Sequence, residues 1–152
     1  MTSNVRPAGT LRGNVSRAMQ VEKGFIRMTI PHVEGSNCTI NHPSSCLPGF
    51  SLVVLAFLRM PVKGDTESTA AYLVSSGPPK KEGVSIYLKN AGPTNTTISF
   101  YGSDGEHFWL ATAQVKNEEF IDKWTLFGLS WHTKFGVWGL LDGIIVGVLY
   151  LQ

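Results

Sequence analysis

The sequence predicts an all-β fold, an antiparallel β-sandwich, on three observations. Apolar runs of strand length recur along the chain. The 16 glycines and 8 prolines fall between those runs as punctuation and do not gather in one linker. No stretch of a dozen residues keeps a helical period with caps at its ends. With 152 residues, 43% of them hydrophobic and 16% charged, the chain can build one substantial core and is too short to expect two. A single domain over residues 13–152, preceded by a flexible segment 1–12, is the expected organisation.

The elements follow in order. "AMQVEKGFIRMTI" places Ile26, Met28 and Ile30 on one face of a strand. "FSLVVLAFLRM" is a continuous apolar run, expected for a central strand buried on both faces. "AAYLVSS" and "GVSIYLKN" flank the polar loop "GPPKKEG" and predict a hairpin. "TTISFYGS" and "EHFWLATAQV" flank Asp104-Gly105, a tight-turn signal with alternation on both sides. "VKNEEFIDKW" is the nearest approach to a helix and predicts a single turn or a loop. In "TLFGLSWH", Phe127, Leu129 and Trp131 share one face while Gly128, Ser130 and His132 share the other. "VWGLLDG" returns and closes at Asp142-Gly143 before "IIVGVLYL". At least seven antiparallel strands are expected, without internal repeats.

Charge narrows the function. A net charge of +2 from 13 basic and 11 acidic residues, scattered along the chain, is no footprint for nucleic acid. No window reaches the roughly 20 apolar residues of a bilayer span, so direct membrane insertion is not expected. The N-terminal sequence lacks the apolar core of a secretory signal.

Cys38 and Cys46 bracket "TINHPSS". An even count around a short polar loop favours a local disulfide; buried free thiols and a metal site with nearby His32 and His42 are the rival readings, the last at a spacing that matches no common zinc site. Asn14, Asn37 and Asn95 each begin an Asn-x-Ser/Thr sequon. Disulfide and sequons together point to an oxidising, secretory compartment, extracellular or at the cell surface.

Catalysis finds little support. A retaining glycosidase needs two carboxylates about 5 Å apart on one face, and the nearest spacing, Asp104-Gly105-Glu106, falls on a turn. No nucleophile elbow, zinc-protease helix motif or phosphate loop occurs. The stretch "WTLFGLSWHTKFGVWGLLDG", with three of the four tryptophans, therefore reads as two strands and their turns, in which most aromatics are core. Trp138 lies out of phase with its neighbours and is expected to face solvent.

The ordered set "GNVSRAMQVEKGFIRM", Cys38 and Cys46 before "PGFSLVVLAFLRM", "YLVSSG", "GVSIYLKN", "WTLFGLSW" and "GVWGLLDG" resembles the laminin-G-like domains of the concanavalin A-like jelly-roll superfamily over residues 13 to 147. The resemblance implies a non-catalytic extracellular adhesion module of a larger protein, recognising a protein or glycan ligand. A carbohydrate-binding lectin and a structural spacer are the alternatives it leaves. It also admits one Ca2+ at rim loops, with Asp65, Asp104 and Asp142 as candidates, although each reads first as a turn residue. Trp138 and His132 are the candidate ligand contacts, His132 standing where the family commonly carries Asp. Family members continue past the final hairpin, so further strands, or the remainder of a larger multidomain chain, are expected to cover sheet edges and apolar surface here.

Overall fold

The computed structural model describes residues 5–8, 18–21, 38–59, 70–76, 81–89, 92–132 and 134–149. The chain divides into two units, Met1–Pro31 and His32–Gln152. In the first, strands β1 (Val5–Ala8) and β2 (Ala18–Val21) pair antiparallel, Val5 opposite Val21 and Ala8 opposite Ala18. The part of the expected first strand beyond Val21, with Ile26, Met28 and Ile30, lies outside the described residues.

The second unit is an antiparallel β-sandwich of two four-stranded sheets, the predicted fold class. The front sheet is a meander of β4 (Ala71–Ser75), β5 (Gly83–Lys89), β6 (Asn95–Ser103) and β7 (Phe108–Lys116), in that order. The back sheet runs β3-β8-β9-β10, with β3 (Gly49–Phe57), β8 (Trp124–His132), β9 (Gly136–Leu141) and β10 (Ile144–Leu149). Each expected hairpin forms: β4 with β5, β6 with β7 and β9 with β10. The last turns at Asp142 and Gly143, both at positive φ (49° and 83°), the left-handed pair that a two-residue hairpin requires.

Alternation builds the core. On β7, Trp109, Ala111, Ala113 and Val115 point inward while Phe108, Leu110, Thr112 and Gln114 point out. Ile86, Ile98 and Phe100 of the front sheet meet Phe127, Leu129, Trp131, Val137 and Leu141 of the back sheet, all buried. Trp109 meets Trp131 edge-on, ring centroids 5.6 Å apart. The sheets approach closely because β9 and β10 carry glycines at paired inward positions, Gly139 opposite Gly147. A Cβ on Gly139 would overlap the Phe100 ring, and one on Gly147 would sit 3.3 Å from the Thr112 carbonyl oxygen.

"VKNEEFIDKW" forms one helical turn, α1 (Asn117–Phe120), where the chain crosses from β7 to β8. Buried Asn117 secures it: its amide donates to the Gly92 carbonyl at 2.8 Å and its side-chain oxygen accepts from the Thr96 hydroxyl at 2.7 Å. Phe120 then packs edge-on against Phe127.

One expectation is corrected. "FSLVVLAFLRM" is not a central strand buried on both sides: β3 is the edge of the described back sheet, and its residues alternate half-buried and exposed. Its continuous apolarity arises because both faces of this strand are apolar, while only one of them meets the core.

Candidate functional site

The two cysteines form a disulfide, Cys38–Cys46, closing a loop that leads into β3. Glu82, just before β5, clamps this loop. One carboxylate oxygen accepts from the backbone N–H (3.1 Å) and the hydroxyl of Ser44, and the other lies 3.0 Å from His42 Nδ1. Partial desolvation pushes the Glu82 carboxyl up, but the hydrogen bonds from Ser44 and His42 outweigh it and hold the group below its usual range. The clamp fixes the end of the sandwich at which β3, β5 and β7 begin.

The expected ion ligands are occupied with turns. Asp104 Oδ1 accepts the backbone N–H groups of Glu106 (3.0 Å) and His107 (2.6 Å). Desolvation raises this carboxyl, and those donors more than offset it, leaving it below its ordinary value. Asp142 Oδ1 accepts the Leu126 N–H at 2.8 Å. Gly102, near the end of β6, sits against Val137, near the start of β9, so Asp104 and Asp142 occupy opposite ends of the sandwich. They cannot share one ion. Asp65 lies outside the described residues, and among those described no three His, Cys, Asp or Glu side chains are grouped to hold a metal. No described helix is long and apolar enough to cross a membrane.

Trp138 and His132 are brought to one surface, the outer face of the back sheet. Trp138 lies opposite Ser130, one row from the His132–Gly136 pair. Both are half-buried. The Trp138 indole N–H is itself buried with no partner among the described residues. His132 Nδ1 accepts the Lys134 N–H at 2.9 Å, and its ring packs 4.6 Å from Phe135. Of the sequons, Asn95 is exposed as the first residue of β6, where a glycan has room; Asn14 and Asn37 lie outside the described residues.

The back face around Trp138 is largely apolar, with Ser51 and Ser130 hydrogen-bonded to each other within it at 3.1 Å and Asp142 beside Leu126 at its margin. Four rows cross it: Phe57–Trp124, Leu55–Leu126, Val53–Gly128–Leu140–Ile145, and Ser51–Ser130–Trp138–Val148. Val53 is 55% exposed and Ile145 49%, with Leu55, Phe57, Leu126 and Val148 open as well. None of these residues is charged.

The front face differs. At its centre Tyr87 lies opposite Ser99 and Ser85 opposite Tyr101, a checkerboard of two tyrosines and two serines. Tyr72 extends the first row, its ring 5.2 Å from Tyr87, and Phe108 stacks on Tyr101 at 6.3 Å. Ser99, 2% exposed, forms a floor between the rings, bordered by Thr112, Gln114, Thr97 and Lys89. Sequence reading missed this site, although the signal was present: in "SIYLK" and "TISFYGS" the hydroxyl-bearing residues keep the phase opposite to the apolar ones.

Compared with known proteins, the chain matches no protein-family model, no curated protein and no solved structure.

Proposed function

We propose that this chain is a non-catalytic recognition module that binds a glycan on the front face of its sandwich. The observation that carries the reading is the tyrosine–serine checkerboard. A sugar ring has an apolar face of C–H groups and a rim of hydroxyls. The exposed Tyr72 ring and its Tyr87 neighbour offer the first a flat aromatic surface, while the exposed Thr112, Gln114 and Lys89 on the same face offer the second both donors and acceptors. Few charges stand on this face, which suits a neutral ligand. The resemblance to laminin-G-like jelly rolls points to the same class of activity, in the extracellular part of a larger protein. The disulfide and the exposed Asn95 support that location.

The test is a glycan array probed with the folded chain, with and without a calcium chelator, followed by titration of any hit against Tyr72→Ala. Tyr72 is half exposed on β4, so its truncation leaves the core intact. Binding that Tyr72→Ala weakens at least about tenfold supports the proposal. Binding to no glycan, or binding indifferent to Tyr72, overturns it.

A further inference from the structure

We infer that the outer face of the back sheet is a self-association surface that joins two copies of this chain face to face. The surface is built as an interface core with a charged rim. Its four rows, from Phe57–Trp124 to Ser51–Ser130–Trp138–Val148, hold no charged side chain. Cations lie at its two ends, Arg59 with its guanidinium 6.0 Å from the Phe57 ring and Lys134 with its ammonium 5.5 Å from Phe135, and Asp142 sits at the adjoining turn. That distribution, apolar centre and ionic margin, is the anatomy of a protein–protein contact. It is not that of an ordinary solvated sheet, which alternates apolar inward with polar outward.

Size agrees. At ~4.8 Å between strands and ~3.3 Å per residue, two strands of nine residues and two of six present a footprint of about 500 Å². Two such faces pressed together cover about 1,000 Å², the size at which an interface becomes specific.

Three features select a second copy as the occupant. An uncharged face offers no electrostatic handle for a distinct partner, so complementarity rests on shape and apolarity alone. A second copy supplies a face of the same size and apolarity, and two sheets can stack with strands about 30° apart, as in an aligned sandwich. A two-fold pairing also closes on itself, consuming both patches without leaving one free to propagate.

Sedimentation equilibrium of the 152-residue chain, from low to high micromolar concentration, tests this. The expected result is a concentration-dependent rise from 16.6 kDa to twice that mass. Leu126→Lys should weaken association at least about tenfold, and so should Val53→Ser, which removes apolar area without introducing charge. Both side chains are exposed, so an unchanged thermal midpoint reports that folding is intact. A chain that stays monomeric throughout overturns the inference. So does association that neither substitution weakens. A monomer that instead binds phosphatidylcholine vesicles through Leu126 also overturns it and assigns the face to a lipid surface.

Discussion

The two outer faces of the sandwich are made by the same alternation of side chains and come out opposite in chemistry. On the front sheet the outward positions of β5 and β6 carry serine, threonine, tyrosine and lysine; on the back sheet those of β3, β8, β9 and β10 are mostly valine, leucine, isoleucine, phenylalanine and tryptophan, with Ser51, Ser130 and His132 at one end. Only the inward positions are apolar in both. The centre of the front face is lined by hydroxyl-bearing side chains, of which Ser85 and Ser99 are buried between the rings, and the Tyr101 hydroxyl is buried without a partner among the described residues. The back face exposes hydrocarbon that water penalises by roughly 25 cal/mol per Å². The front sheet sets polar groups among its exposed rings, and the back sheet presents mostly hydrocarbon. The difference teaches that a strand's outward phase, and not its core phase, carries the information about partners.

The contrast breaks most completely if the two sheets are forced apart. Gly139→Val puts a branched side chain where the Phe100 ring now lies, and should cost about 3 kcal/mol or more, abolishing both faces together. A urea melt followed by tryptophan fluorescence measures it. Next in size, Cys38→Ser with Cys46→Ser should lower stability by about 2–3 kcal/mol by freeing the loop that leads into β3. The same loss should appear in the unmutated chain on reduction, and an unchanged melt would mean that the clip is irrelevant to the sandwich.

Substitutions on the faces themselves should separate them. Leu126→Lys should abolish association while leaving stability within about 0.5 kcal/mol, since this side chain touches solvent and not the core. Tyr72→Ala should do the reverse, weakening glycan binding with association untouched. A variant that disturbs both properties would show the faces to be coupled.

The smallest effect concerns the clamp between them. Glu82 has its folded pKa lowered, so it contributes stability above the unfolded carboxylate pKa, and that contribution is lost as pH falls through the lower, folded value. Asp104 behaves in the same sense at its turn. Acid should therefore loosen both the disulfide loop and the Asp104 turn. Glu82→Gln should cost about 1 kcal/mol at neutral pH and flatten the acid limb of a stability–pH profile; a profile identical to that of the unmutated chain would remove Glu82 from this role.

Much of this architecture was legible in the residues. The hairpin at Asp142-Gly143, the turn at Asp104-Gly105, the strand pair around Trp131 and the β4–β5 pairing all follow from local signals, because turn chemistry and two-residue periodicity act over a few positions. The candidate site was less legible. Trp138 reads from its phase as a solvent-facing residue and does lie on the outer side, but it is half-buried there with the indole N–H covered. The front-face checkerboard was missed because Tyr72, Tyr87, Ser99 and Tyr101 belong to three strands, and only strand pairing brings them side by side.

Taken alone, the sequence determined the strands, their turns, the all-β class and the inward phase of most of them, since each depends on neighbours within one strand or one hairpin. Tertiary structure alone decided which sheet each strand joined. It thereby decided that the largely apolar β3 lies at the edge of the described back sheet with one face open to water, and that Asp104 and Asp142 stand at opposite ends. The physical reason is that burial is a property of what lies across the sheet, and an apolar strand reads the same whether its second face is covered by its own chain, by another copy, or by solvent.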